Sequence, residues 1–266
     1  MRFIIPFVIL PSSFVIAAAP APIDYDQQIR PFLKDNCIAC HNKTTTKGGL
    51  NMETPELMAK LISRTHFSVS TDETRPQINS ALFEWSGDRV RMVTTDGHRL
   101  SKMEAVVEGV NATATMLIPH KAIVELKRLA DDAKAEKNQS TLVISQSGPN
   151  AFFELAGMRF GVKLVDTQFP NYRQLLPKTT QRSVLIPRKA FAEALDAVRI
   201  AASDRNGGVK ITTTQGLVRI TSESPESGNG FDEIPVDFQG TDLTIGFNAR
   251  YLLDVLGALD DDAILL

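Results

Sequence analysis

Two short stretches carry residue types able to do chemistry. The first is Cys37-Ile38-Ala39-Cys40-His41. Two thiols one helical turn apart can add to the two vinyl groups of one haem. The adjacent imidazole is then placed to ligate the iron, which leaves the other axial position for a second ligand. Met52 and Met58 lie downstream as candidates for that position, and the spacing selects neither. A redox Cys-x-x-Cys pair or half of a zinc site would use the same residues. Zinc lacks a second cysteine pair, because Cys37 and Cys40 are the only cysteines in the chain. The same count excludes a disulfide framework. The second stretch is Thr94-Thr95-Asp96-Gly97-His98-Arg99-Leu100. An Asp and a His this close could form a catalytic pair, but no Ser or Cys nucleophile pattern accompanies them. The other reading is a turn that shows its histidine to solvent.

Different surroundings hold these two stretches. Residues 1–22 open with Arg2, continue through a mostly apolar run from Phe3 to Ile16, and reach Ala17-Ala18-Ala19. That is the layout of a secretory signal peptide, too short for a membrane span. Pro6 and Pro11 argue against a buried helix there. Further along, the chain changes to an α+β grammar. Thr54-Pro55-Glu56 predicts a helix start, with Thr as N-cap and Pro at the first helical position. Leu57, Leu61, Ile62 and His66 follow at helical spacing. Three hairpins are predicted: "INSALFEW" to "RVRMVTTD" around Gly87, "FFEL" to "MRFGVKLV" around Gly157, and "VKITTT" to "LVRITS" around Gly216.

The α+β part repeats itself. "MLIPHKAIVELKRL" (116–129) matches "VLIPRKAFAEALDAV" (184–198), each a short strand, an Ile-Pro step and an amphipathic helix, followed by paired strands. Two similar α+β units are therefore predicted, with the prolines as first helical residues. Lys121, Lys127 and Arg128 on the first helix, and Arg188, Lys189 and Arg199 on the second, form either solvated charge faces or faces for a phosphate backbone. With a net charge of −2 the whole chain is no basic nucleic-acid binder, so DNA contact has to come from such a local face. The 43% apolar and 23% charged fractions are those of ordinary globular chains.

Two resemblances add to these readings. "YDQQIRPFLKDNCIACHNKTTTKGGLNMETPELM" resembles the cytochrome c domain of large planctomycete-type secreted proteins, over residues 23–59. It implies haem c on Cys37 and Cys40, with His41 on the iron, in a partial domain. "STDETRPQINSALFE", "TTDGHRL", "KLVDTQFPNYRQLLP", "IPRKAF" and "IGFNARYLLDVL" resemble the bacterial sliding clamp, the DNA polymerase III beta subunit, in order and spacing from about Lys60 to Leu259. That resemblance implies a non-catalytic, cytoplasmic processivity factor without a cofactor or small-molecule substrate. Its helices line a hole around duplex DNA in a ring-shaped homodimer.

The implied domains are a middle one at 60–178 and a truncated C-terminal one at 179–266. The implied partner-peptide pocket, for polymerase and other clamp-binding peptides, is Thr95, Gly97, His98, Arg99, Leu100, Pro170, Gln174 and Leu175, floored by Leu100, Pro170 and Leu175. Arg75, His120 and Lys121 are implied to face DNA. The family's first domain, the first strand of the middle domain and the C-terminal strands are expected to be missing. Ring closure is then doubtful, and an unpaired edge is expected near "DLTIGF". A chimeric reading frame joined near Ala59-Lys60 accounts for both resemblances. The alternative function is that of a secreted c-type cytochrome in electron transfer.

Overall fold

The computed structural model describes residues 41–42, 45–46, 49–52, 55–107, 111–135, 141–177, 182–202, 207–225 and 228–266. The signal-like segment and both cysteines of the haem motif lie outside them. The chain divides into two compact units, residues 1–47 and 48–266. In the first, the backbone of β1 (His41–Asn42) pairs antiparallel with β2 (Thr45–Thr46).

The second unit holds two lobes. In the first lobe, β3 (Gly49–Met52), α1 (Pro55–Ser63), β4 (Ser80–Gly87), β5 (Arg89–Thr95) and β6 (Leu100–Val106) are followed by β7 (Ala112–Pro119), α2 (His120–Ala135), β8 (Leu142–Ser147), β9 (Asn150–Leu155) and β10 (Met158–Lys163). Both halves of the lobe are strand, helix, three strands. Each half lends its first strand to the other's sheet, giving the orders β6-β5-β4-β7 and β10-β9-β8-β3. In the second lobe, β11 (Leu185–Pro187), α3 (Arg188–Val198), β12 (Gly208–Thr214), β13 (Leu217–Ser224) and β14 (Gly228–Pro235) precede β15 (Leu243–Asn248), α4 (Ala249–Ala258) and β16 (Ala263–Leu265). Its sheets are β14-β13-β12-β15 and β11-β16.

Local sequence explains these elements. Ala156 and Gly157 both take positive φ (48° and 75°) in the two-residue turn that pairs Leu155 with Met158. Such turns match the twist of the flanking strands. In α2, Ala122, Ile123, Leu126, Leu129, Ala130 and Ala133 recur at helical spacing and are buried. They join Met58, Leu61 and Ile62 of α1 with Phe83, Trp85, Met92, Ile144 and Phe153 from the two sheets in one core. Complete burial of Leu61 and Ile62 contributes about 1.5–3 kcal/mol for each side chain. Trp85 satisfies its indole N–H on the Gly87 carbonyl at 3.0 Å. The second core gathers Phe191, Leu195 and Val198 of α3 with Val209, Ile211, Val218 and Ile220 of the sheet.

All three hairpins and the repeat appear where the sequence predicts them. Three expectations change. The first strand of the first lobe is present: Gly49–Met52, read from sequence as part of the cytochrome-like segment, pairs antiparallel with Leu142–Ser147. Met58 is a core side chain of the first lobe, which removes it as a candidate haem ligand. Pro187 sits one position earlier than predicted, as the N-cap of α3 with φ −58°, and Pro119 closes β7. Pro187 pairs with Ala263 in the sheet, so the strand keeps it. The edge near "DLTIGF" is found as β15, the outer strand of its sheet.

Candidate functional site

The turn between β5 and β6 is built by its own polar side chains. Asp96 Oδ1 accepts from the amides of His98 (2.9 Å) and Arg99 (3.0 Å). Thr95 Oγ1 donates to the Arg99 carbonyl at 2.7 Å and accepts from the Gly97 amide at 3.1 Å. Gly97 has φ +94°, a conformation that disfavours any side chain. Burial works against ionisation of Asp96. The His98 and Arg99 amides and the Arg99 guanidinium together outweigh it, so the carboxyl titrates below the usual range. His98 is exposed, as the turn reading requires.

A second layer of hydroxyls fixes this turn from below. Thr94 Oγ1 donates to the Thr65 carbonyl at 2.6 Å, Thr65 Oγ1 donates to Leu61 O at 2.7 Å, and the Ser68 and Ser101 hydroxyls bond at 2.7 Å. All are buried, so each bond is costly to lose.

Beside the turn lies an apolar patch on the outer face of β4, β5 and β7. Leu82, Val93 and Leu117 pack with Phe169 and Tyr172 of the following connector, and Leu100 and Leu176 pack against them. Tyr172 donates its hydroxyl to Glu84 at 2.7 Å and meets Phe169 edge-on at 6.4 Å. Burial, then Glu84, raises the Tyr172 phenol's pKa. A groove of about 730 Å³ runs along this connector and is lined in part by Leu82, Leu117, Phe169, Pro170 and Tyr172.

Of the eight pocket positions read from sequence, the structure places Thr95, Gly97, His98, Arg99 and Leu100 on the one turn, and Pro170 on the groove. Gln174 is exposed at the end of a short turn. Leu175 is 69% exposed and stands outside the buried apolar cluster, against which its neighbour Leu176 packs. The sequence reading missed Leu82, Val93, Leu117, Phe169 and Tyr172. Their signal was available: Leu82 is paired with both Val93 and Leu117 across the sheet, and alternation puts these three on one face.

Arg99 has a further role in the geometry. Its Nε meets Asp96 at 3.0 Å, Nη2 donates to the Phe67 carbonyl at 2.6 Å, and Nη1 donates to Asp254 on α4 at 2.6 Å. The guanidinium also lies 4.4 Å from the Tyr251 ring centre. A similar crossing joins Arg64 to Asp260 (3.0 Å) and Asp261 (3.4 Å).

The positions expected to face DNA lie in the loop before β4 and at the start of α2, joined through Asn79, whose amide bonds the Arg75 carbonyl at 2.9 Å. His120 opens α2, its amide bonded to the Asn79 carbonyl at 3.1 Å. Burial and then the proximity of His66 lower its imidazole pKa. Lys121 is 90% exposed and pairs with Glu73 at 3.2 Å. Arg75 leans toward the turn, where a Cβ on Gly97 would come 3.5 Å from its Nη2. The helix cations stand beside acids: Lys127 with Asp131, Arg128 with Glu125 and Asp132, Arg199 with Asp196. Among the described residues no cluster of three or more His, Cys, Asp or Glu could hold a metal. No described helix is long and apolar enough to cross a membrane.

Comparison with known proteins agrees with this architecture. Residues 53–171 match the family described as DNA polymerase III beta subunit, central domain, and residues 173–266 match its C-terminal domain. The beta sliding clamp of Pseudomonas putida is 34% identical over 218 residues, 81% of this chain and 58% of that protein. The clamp of Caulobacter vibrioides is 32% identical over 213 residues, 78% of this chain and 56% of the relative. The chain therefore spans less than two thirds of the length of these relatives. Among solved structures, the Pseudomonas aeruginosa DNA polymerase sliding clamp with ligand superposes with a TM-score of 0.75 at 29% identity, covering 82% of this chain and 59% of that one. The DNA polymerase III beta subunit of Thermotoga maritima gives 0.75 at 26% identity, covering 83% and 58%.

Proposed function

Because this chain belongs to the DNA polymerase III beta-subunit family, with that family's central domain followed by its C-terminal domain, we propose that it serves DNA replication as a sliding clamp. In this reading it does no covalent chemistry. It surrounds duplex DNA as part of a homodimeric ring and holds polymerase beside the template, so the second encounter becomes intramolecular at a high effective concentration. Polymerase peptides dock by apolar anchors on the patch beside the Thr95–Leu100 turn, with the groove along Phe169–Tyr172 taking the rest of the peptide. His120 and Lys121, and Arg75 from the neighbouring loop, serve as sequence-independent phosphate contacts. This part of the chain works in the cytoplasm.

The observation that carries the reading is the hydrogen-bonded polar turn set against an apolar patch, on a lobe whose residues 53–171 match the central domain of the family. Fluorescence anisotropy with a labelled peptide carrying adjacent Leu and Phe anchors tests it. Leu100→Ala should weaken binding about tenfold, while Gln174→Ala, an exposed position, should change it less than about threefold. A native chain that binds no such peptide overturns the reading. Gel filtration and retention on nicked circular DNA, compared with linear DNA, test the ring. Haem attachment at Cys37 and Cys40, with His41 on the iron and export by residues 1–22, is a separate proposal supported by the motif itself. A covalent haem-staining band after periplasmic expression supports it, and an unstained chain removes it.

A further inference from the structure

Among the described residues, each of the apolar clusters lies within one lobe: one fills the first, one the second, and one the outer face of the first. The contacts that cross are of another kind. Arg99 and Arg64 reach from the first lobe to Asp254, Asp260 and Asp261 of the second, and Tyr251 stacks on the Arg99 guanidinium. Lobes without a large apolar interface are expected to move relative to each other. Directional, charge-assisted bonds are then what can fix an angle between them.

We infer that Arg99 is a positioning residue that straps α4 of the second lobe to the Thr95–Leu100 turn, with Arg64 as a second strap. The partner-peptide turn and the inter-lobe angle are thereby set by one side chain. Each of the three Arg99 nitrogens is engaged inside the molecule, on Asp96, Phe67 and Asp254. Its planar fork meets three acceptors in different directions while the ring of Tyr251 covers one face, a task a lysine ammonium cannot perform. The Arg99 side chain is only 18% exposed, so a loss of Asp254 leaves a half-sheltered charge with one of its two carboxylates gone. The strap also explains why the turn is so heavily bonded. A turn that carries a load between lobes must itself be stiff, and the Thr94–Thr65 and Ser68–Ser101 bonds supply that.

For its peptide readout this inference rests on the clamp reading; for the angle it does not. The test uses the full chain with Cys37 and Cys40 replaced by serine. Spin labels are placed through Asn111→Cys on the first lobe and Gln215→Cys on the second, both exposed positions. Pulsed electron–electron distance measurement is combined with the labelled-peptide titration. Asp254→Asn should broaden the inter-lobe distance distribution and weaken the peptide about tenfold, the size of a lost charged hydrogen bond. Arg99→Lys should recover only part of the angle, and Arg64→Met should broaden the distribution less than Asp254→Asn. An Asp254→Asn chain with unchanged distances overturns the strap. So does an Arg99→Met chain that loses the peptide at native distances, because Arg99 then acts on the peptide directly. If the native chain binds no peptide, the clamp reading of the site fails, while the distance measurement still decides the strap.

Discussion

The two lobes use the same grammar of strand, helix and three strands, yet their interiors differ. In the first, α1 and α2 pack on each other beneath two four-stranded sheets, and Phe83, Trp85, Ile144 and Phe153 are all buried. In the second, α3 buries Phe191, Ala194, Leu195 and Val198, but α4 buries only Ala249 and Leu256, half covers Leu252 and Leu253, and exposes Val255. β11 and β16 form a sheet of two strands, and beside it lies an apolar cavity of about 220 Å³ lined in part by Val184, Ile211, Phe238, Ile245 and Phe247. Equal periodicity in the helices thus gives unequal cores, because burial depends on what the opposite sheet supplies. α4 compensates on its outer side with polar contacts to the first lobe.

The largest expected effect separates the two interiors. Phe153→Ala should cost about 3–5 kcal/mol in urea unfolding, since the dense core around it cannot collapse on the space left. Ile245→Ala, at a side chain 44% exposed on the edge strand, should cost less than about 1 kcal/mol. Comparable losses would mean that the second lobe is packed as tightly as the first.

A smaller effect separates the turns. Gly97 (φ +94°) and Gly216 (φ +73°) both sit in conformations that cost an alanine about 1–2 kcal/mol. Gly97→Ala should also weaken the labelled peptide, because the Arg75 guanidinium lies against that position. Gly216→Ala should lose similar stability with peptide binding intact. Equal peptide affinities for the two variants would separate the Thr95–Leu100 turn from the docking surface.

What could be read in advance follows from how local the cause is. The hairpins at Gly87, Gly157 and Gly216 declare themselves because a tight turn and its flanking alternation lie within a dozen residues. The repeated Ile-Pro step and helix are equally local. β3 escapes because "GLNM" is four residues long, stands beside a conspicuous cysteine motif, and becomes a strand only by pairing with Leu142–Ser147. Arg99 lies on the turn that the sequence singled out, but its partner on α4 lies 155 residues away, which no spacing rule reaches. Leu175 and Leu176 show the same limit. After the short turn at Tyr172–Gln174 the first is exposed and the second packs on the apolar cluster, and adjacent leucines read alike until the turn is fixed.

The smallest expected effect concerns charge on the two outer sheet faces. On the first lobe Glu104 receives Arg89 (2.7 Å) and Arg91 (2.9 Å) from the neighbouring strand and Lys102 (3.3 Å) from its own. On the second, Arg219 and Glu233 make a cross-strand pair at 2.6 Å. The hydrogen bond from Arg89, helped by Lys102 and Arg91 against the cost of burial, holds the Glu104 carboxyl at about 2, below its ordinary 4.5. A carboxyl depressed in the fold adds stability above its unfolded value, and that contribution fades as pH falls through the folded one. Glu104→Gln should therefore cost up to about 1 kcal/mol near neutral pH, the modest scale of part-exposed ion pairs. The gap to the native chain should close between pH 4.5 and about 2. Glu233→Gln, which gives up one exposed pair, should cost less at neutral pH. Equal costs would show that three cations on one carboxylate add nothing to what one supplies.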